Sequence, residues 1–395
     1  MNTRINAILA IIISLWFLSV LPGSVRCSSV QRNAHSYFIL CTLLGNKAAI
    51  SQIRGAAYKK HLVKGQIIEH RSSVQSDCPG DSLTVMFWNV ENFYDWRNDS
   101  TTESDEEFSA GGKRHWTWRR FLAKANAFAK ALLWVGSETG RLPDIVGLEE
   151  VENAFVLRQV LQKTALRKLD YKYVHFDSPD RRGIDVALLY RTSRLELLSA
   201  EPFHLYDADT VMATRDILLC VFRKDSTDFA VLVNHHPSKY GGAAESEPRR
   251  RIAVERLRFL ADSLAAEGID RIIAGGDFND TPDNPVFRLL EPALVPLYSE
   301  LYHSGEGTIK YEGKWDLIDH IYVSPGWIGY FSGHPQGSGT PAGESPRMRI
   351  LRIPFLLTRD TSHSGDKPLR SYVGPRYSGG VSDHLPVLLE VVMPP

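Results

Sequence analysis

Between residues 83 and 392, short apolar runs repeatedly end in a carboxylate, an amide or an imidazole. Val85-Met86-Phe87-Trp88 leads into Asn89-Val90-Glu91, and Ile145-Val146-Gly147-Leu148 leads into Glu149-Glu150. Ala230-Val231-Leu232-Val233 leads into Asn234-His235, while Ile272-Ile273-Ala274 passes through Gly275-Gly276 into Asp277-Phe278-Asn279-Asp280. Ser382-Asp383-His384 stands at the start of its run, so an antiparallel neighbour would bring it to the same rim. Strand ends of this kind converging at one rim describe a hard-cation site with imidazoles beside it. Oxygen donors without thiolates favour Mg²⁺, Mn²⁺ or Ca²⁺ over zinc, and Mg²⁺ takes only one or two carboxylates, keeping water or phosphate oxygens as its other ligands. That chemistry suits phosphoester hydrolysis. The cation neutralises phosphate, and a histidine titrating near neutrality takes the proton of the attacking water. Such a histidine needs a carboxylate to fix its tautomer, and Asp319 in Asp316-Leu317-Ile318-Asp319-His320 is the candidate. Glu149 and Glu150 point to opposite faces of a strand, so one of them binds metal.

The elements that must position these residues follow from periodicity. Strands are expected at Leu83–Asn89, Ile145–Glu150, Asp185–Tyr190, Phe229–His235, Arg271–Asp277, Leu317–Val323 and Leu385–Val392. Helices are expected at Thr117–Val135, Ala154–Leu169 and Ser246–Glu267, the last with Leu257, Leu260, Ala261 and Leu264 on one face. Interleaved strands and helices over residues 81–395 predict one large layered α/β domain. Arg97–His115 and the Gly/Pro-rich Gly329–Ser382 read as loops over a binding face, with Asp105-Glu106-Glu107 solvated. Arg249-Arg250-Arg251 reads as a solvated face or a phosphate clamp, and His236 and His320 as structural.

The 395 residues are 43% hydrophobic and 23% charged, which excludes a disordered chain and a polytopic membrane protein. Lys+Arg and Asp+Glu balance at 46 each, but residues 1–80 hold nine basic and two acidic groups, leaving 37 against 44 beyond them. An acidic domain needs a cation or local basic patches to hold a phosphorylated substrate. Arg4, the apolar run Ala7–Leu21 and Pro22-Gly23-Ser24 read as a secretory signal over residues 1–27, which implies export. Residues 28–80 carry no sustained apolar period and read as a basic accessory segment. Cys27, Cys41, Cys78 and Cys220 are too widely spaced for a thiolate zinc site, and one disulfide or free thiols remain open.

The ordered set Trp88-Asn89-Val90-Glu91, Leu148-Glu149-Glu150-Val151, Val233-Asn234-His235, Gly275–Asp280, Ile318-Asp319-His320-Ile321 and Ser382-Asp383-His384 resembles the endonuclease/exonuclease/phosphatase superfamily, the deoxyribonuclease I-like fold. Ser178–Asp185, Asn234–Lys239 and Ser246–Arg250 look like an exported bacterial branch of it. The resemblance implies a four-layered α/β sandwich, two mixed β-sheets face to face with helices outside, and a divalent-metal phosphoesterase site. It implies Glu150 as principal metal ligand, with Asn89, Glu91 and Asp383 nearby. His384 resembles the general base paired to Asp319, and Asp277 and Asn279 the pair contacting nucleophile and phosphate. His235 resembles a second histidine that stabilises the phosphate or protonates the leaving oxygen, with Asp185 orienting it. Asn234, Lys239 and Arg182 are the expected phosphate contacts. The Trp-Cys-Asp-Arg motif of inositol-polyphosphate 5-phosphatases is missing, and the acidic domain argues against the abasic-site repair branch. The expected substrate is a phosphodiester or phosphomonoester, with nucleic acid among the candidates. A lipid or sugar phosphatase is the alternative and would use Trp327–Phe331 as an exposed apolar hairpin; a non-catalytic module is the third. The mature chain is expected to be a monomer with no membrane span. Because every motif residue lies beyond residue 80, a chain starting near Gly80 is predicted to fold and keep its activity. Insolubility of that chain at every salt concentration would place residues 28–80 in the catalytic fold.

Overall fold

In the computed structural model, which describes residues 82–99, 102–239, 242–331 and 348–393, the strand Ser82–Phe93 explains why the apolar runs are continuous. Leu83, Val85 and Phe87 face the layer between two sheets, whereas Met86, Trp88 and Val90 pack outward under helices, so both faces are buried. The strands of the two large sheets are β1 (Ser82–Phe93), β2 (Ile145–Val151), β3 (Tyr171–His175), β4 (Asp185–Arg191), β5 (Glu196–Phe203), β6 (Ile217–Lys224), β7 (Thr227–His235), β8 (Ile272–Asp277), β9 (Val295–Pro296), β10 (Asp319–Val323), β11 (Arg349–Ile350) and β12 (Val387–Val392). One sheet has the order β11-β12-β1-β2-β4-β3 and the other β9-β10-β8-β7-β6-β5. Each sheet is mixed: β1 is parallel to β2 and β7 to β8, and the remaining pairs are antiparallel.

Helices α1 (Trp118–Thr139) and α2 (Ala154–Lys163) cover the first sheet, with Phe121, Ala125, Phe128, Leu132, Val156 and Val160 in one cluster with its outward side chains. Helix α3 (Ala243–Ala266) covers the second through Val254, Leu257, Ala261 and Leu264. Caps delimit these elements. Asn153 accepts a hydrogen bond from Val156 N at the start of α2, and α1 stops at Gly140, where φ is 77°. The expected four-layered sandwich is thus present. All seven expected strands and three helices are found, although the helix expected over Ala154–Leu169 ends at Lys163 before a 3-10 turn over Ala165–Lys168, and β3, β5, β6, β9 and β11 are additional. Cys220 lies in β6 as a buried free thiol. The expected signal over residues 1–27 with Cys27, residues 28–80 with Cys41 and Cys78, and residues 332–347 of the long loop lie outside the described residues.

The spacing of the sheets depends on Phe87. A Cβ added at Gly147 or at Gly275, one in each sheet, would lie 2.4 Å from its ring. The Gly-Gly of the β8 exit is therefore a packing requirement. The aromatic ring of one sheet lies on the bare backbone of the other. Gly275→Ala is expected to lower stability by ~1–3 kcal/mol through overpacking, and Gly275→Ala with Phe87→Leu to recover part of that loss. Urea midpoints of the single and double variants check this; a single variant as stable as wild type contradicts it.

Candidate active site

The strand pairing brings the polar run ends to one rim. β1 and β2 end together, as do β7 and β8, while antiparallel pairing sets Asp319 of β10 opposite Asp277 and the start of β12 opposite Phe87. Bulges then turn the side chains. The β1–β2 register slips between Asn89 and Phe93, and the β2–β4 register slips between Glu149 and Val151. Glu91, Asn92, Glu150 and Asn279 hold φ of 45°, 52°, 65° and 53°, a backbone conformation that costs free energy away from glycine and that the surrounding structure must impose.

His384 Nδ1 lies 2.9 Å from Asp319 Oδ2, and both are buried. Its other nitrogen, Nε2, is 3.9 Å from Asp277 Oδ2 and 3.9 Å from Asp383 Oδ1. Motif residues brace the ring. Trp88 Nε1 donates to His384 O at 3.0 Å, and Ser382 Oγ donates to Asn89 O at 2.6 Å while accepting His384 N at 2.9 Å. Burial opposes charge on the imidazole, but Asp319, Asp277 and the hydrogen bond outweigh it and hold His384 well above its usual value. Asp277 is pushed up to about 7, first by burial and then by Asp319, against the favourable influence of His384. Asn279 N donates to Asp277 Oδ1 at 2.8 Å, and its Nδ2 donates to His236 O at 2.9 Å.

Arginines grip the remaining carboxylates. Arg182 Nη2 lies 3.1 Å from Glu150 Oε2 and 2.7 Å from Asn92 Oδ1, and Asn92 N donates to Glu150 Oε2 at 2.7 Å. Burial would raise the Glu150 carboxyl, yet Arg182 and the Asn92 amide keep it below its usual value and ionised. Arg370 spans Glu91 and Asp383. Fully buried Lys124 donates to Glu91 O and, at 3.1 Å, to Ser371 Oγ. Glu149 points into the protein, with Oε1 2.7 Å from where a Cβ at Gly276 would stand; burial and the nearby Asp319 and Asp277 raise its carboxyl well above its usual value.

Several expectations need correction. Asp185 does not orient His235: its carboxylate meets His175 Nε2 at 3.0 Å and accepts Ser178 N at 2.9 Å. His235 instead faces Asp277 Oδ2 at 3.6 Å, and burial with Arg215 and Arg182 lowers it well below its usual value, so it is neutral and not a proton donor of imidazolium type. Asn234 is not a phosphate contact, since its buried amide donates to the carbonyls of Leu232 and Gly275 at 3.0 and 3.3 Å. Asn89 is not an open ligand: Oδ1 accepts Glu91 N at 2.9 Å and Nδ2 donates to Asp277 Oδ2 at 3.0 Å, making it a brace. Lys239 is paired with Asp280 at 2.6 Å. Arg250 is buried against the same Asp280 at 3.0 Å, neither a solvated group nor a clamp. Asp105 is buried in the short helix Glu103–Glu107. Trp327 is fully buried in the helix Pro325–Phe331, edge-on to Phe229, so the apolar hairpin does not exist. His236 and His320 are buried around Phe278, as expected of structural histidines.

The sequence reading missed Arg370 and Lys124. Lys124 had a signal, a lysine on the apolar stripe Phe121-Ala125-Phe128-Leu132; Arg370 lies in an irregular loop with none. The His384 geometry yields a measurable titration. Its folded pKa lies above the ~6.5 of a free imidazole, so its proton stabilises the fold at low pH, and that contribution is lost as pH rises through the folded value. NMR titration should place the wild-type ring above ~6.5 and Asp319→Asn lower; equal values in the two proteins would remove Asp319 as the cause.

No helix among the described residues is long and apolar enough to cross a membrane. A model of the endonuclease/exonuclease/phosphatase family, whose members are divalent-metal-dependent phosphoester hydrolases, matches residues 84–393. Protein angel of Drosophila melanogaster is 28% identical over 204 residues, covering 47% of this chain and 55% of that protein, so the chain spans about half the length of that relative. Two solved structures from Bacteroides thetaiotaomicron share the fold. An endonuclease/exonuclease/phosphatase family protein has TM-score 0.50 at 19% identity, covering 80% of this chain and 98% of its own. A mannosyl-6-phosphatase has TM-score 0.50 at 17% identity, covering 79% of this chain and 100% of its own. With a family match that runs from β1 to the end of β12, across both sheets and the rim they share, the chain belongs to the endonuclease/exonuclease/phosphatase family.

Proposed function

We propose that this chain is an exported, Mg²⁺-dependent phosphodiester hydrolase in which His384 is the general base. The observation that carries the reading is the 2.9 Å pair of His384 with Asp319, which opens onto ionised Glu150 and two rim arginines. The apolar run Ala7–Leu21 supports export.

The donor set fits a hard divalent ion. Every donor is an oxygen, the set that hard divalent ions prefer, and Glu150 is held ionised at the rim. Glu150 would be its principal ligand, with Glu91 and Asp383 the neighbouring carboxylates; Mn²⁺ or Ca²⁺ has the same donor preference. Such an ion, when bound, neutralises phosphate charge and acidifies water. The protein groups do the rest. Asp319 accepts the Nδ1 proton of His384; above the raised pKa of the ring, Nε2 is unprotonated and takes a proton from the attacking water, and Asp319 then stabilises the imidazolium. Asp277, braced by Asn89 and the Asn279 backbone, faces the same nitrogen. Neutral His235 donates an N–H to a phosphate oxygen instead of a proton to the leaving group. Arg182 supplies positive charge at the rim.

The test is incubation of the full chain with plasmid DNA, RNA, sphingomyelin, a sugar phosphate and a bis-aryl phosphodiester, each with Mg²⁺ and with EDTA. Diester cleavage that EDTA abolishes is expected. Turnover of the sugar phosphate alone would turn the reading to a phosphatase, and turnover of none would sink it. His384→Ala should cost about 10²–10⁴-fold in kcat, whereas Glu150→Ala should be partly relieved by excess Mg²⁺; an unchanged metal dependence in the second variant would remove Glu150 as ligand.

A further inference from the structure

The His384–Asp319 pair is built into the foot of a small hairpin. Its strands, Ile309–Tyr311 and Lys314–Asp316, pair antiparallel across Glu312 and Gly313, whose φ of 46° and 82° make a two-residue turn matched to the strand twist. Ile309 forms an antiparallel bridge with His384, and Leu385 N donates to Thr308 O at 2.8 Å. Thr308 Oγ1 in turn accepts Asp319 N at 3.3 Å. Residues directly opposite in such a pairing share a face, as do residues two apart, which puts Ile309, Tyr311, Lys314 and Asp316 on the face of His384. Lys310 and Trp315 take the other face and are pinned there. Lys310 Nζ lies 3.3 Å from Asp360 Oδ2 and donates to Ser364 O at 2.7 Å, while the Arg352 guanidinium stands 4.3 Å from the centre of the Trp315 ring. A Cβ at Gly313 would lie 2.8 Å from the His363 ring, so the tip of the hairpin is held as well. The near face is open. Tyr311 is 68% exposed, more than any other large hydrophobic side chain among the described residues.

We propose that Tyr311 is a specificity-determining residue, a fixed platform on which an uncharged ring attached to the reacting phosphate stacks. This rests on the hydrolase reading above and names what the substrate carries beside its phosphate, a nucleoside or a sugar unit, each of which offers a ring face to a phenol. Reach permits it. Tyr311 is two residues, about 7 Å, along its strand from the residue opposite His384, the length of one such unit. Direction follows from the chemistry. Attack by water on the His384 side sends the leaving oxygen the opposite way in an in-line displacement, so the group over the hairpin is the one that stays on phosphorus. Charge disfavours a longer polyanion there. Lys314 is paired with Asp316 at 3.2 Å, and Tyr302 with its partner Asp283 lies in the field of both, so this face has no surplus of positive charge for a second phosphate. With its far face pinned, the hairpin loses little freedom when the ring is covered.

Esters that share a leaving group test this. The full chain with Mg²⁺ is given the p-nitrophenyl phosphodiesters of methanol, of thymidine through its 5′ oxygen and of glucose through its primary hydroxyl, and kcat/KM is compared. In parallel, calorimetry measures the binding of methyl phosphate, thymidine 5′-phosphate and glucose 6-phosphate, which needs no turnover. Wild type should favour one ring compound over its methyl counterpart. Tyr311→Ala should cut that preference about tenfold, and Tyr311→Phe, which keeps the ring, should retain it. The ring whose preference falls identifies the substrate class. Tyr311→Leu, which keeps apolar bulk without a ring face, should lose the preference too, and thermal melting checks that each variant is folded. No preference in wild type, or an undiminished one in folded Tyr311→Ala or Tyr311→Leu, would overturn the proposal. The two readings fail separately. Ring-selective binding that Tyr311→Ala loses, in a protein that cleaves no ester, overturns only the hydrolase; cleavage without ring selectivity overturns only the platform.

Discussion

The hydrogen bond between His384 and Asp319 joins the two sheets, and the rest of the site depends on it. His384 enters from the residues that begin β12 in one sheet, Asp319 begins β10 in the other, and their 2.9 Å contact exists only if the sheets keep one spacing and one stagger. Phe87 between Gly147 and Gly275 sets that spacing from below. Trp88, Asn89 and Ser382 then tie the end of β1 to His384 and Asp277, so that a packing decision in the core becomes a geometry at the rim. The tryptophan and serine of the motifs thus position chemistry that other residues perform.

The second constraint is the crowding of carboxylates in a place with little water. Burial first and neighbouring carboxylates second drive Glu149 and Asp277 towards their neutral forms, and Glu91 is pushed up to about 7 by burial and by Asp383 despite Arg370 and Lys124. Stability of such a rim requires cations within reach. The chain supplies three of its own, Arg182, Arg370 and Lys124, and the burial of Lys124 lowers it to about 8 in turn. Positive-φ backbone at Glu91, Asn92, Glu150 and Asn279 is concentrated in the same few residues. Backbone strain and charge crowding coincide where a phosphate and its counter-cation would be received.

Much of this was legible in the residues themselves. Two-sided burial of the strands wrote continuous apolar runs, and the need for a polar group at each strand end placed Asn89, Glu150, His235, Asp277 and His384 where local pattern could find them. Strands such as β5, with one half-exposed face, left a weaker mark. Partner choice was not legible, because hydrogen bonds between loops distant in sequence have no period. Asp185 could be seen to end a turn beside β4, but only the fold decides that it meets His175 and not His235. Asn234 and His235 are adjacent in sequence, yet one is spent on backbone carbonyls inside the sheet and the other reaches Asp277. Arg370 comes from an irregular loop 279 positions from Glu91, a contact that only three-dimensional closure creates. The sequence by itself determined which chemical groups arrive at the rim, since strand period and burial are local; tertiary structure alone decided which charges pair there, since pairing depends on distances that the chain sets only when both sheets are closed.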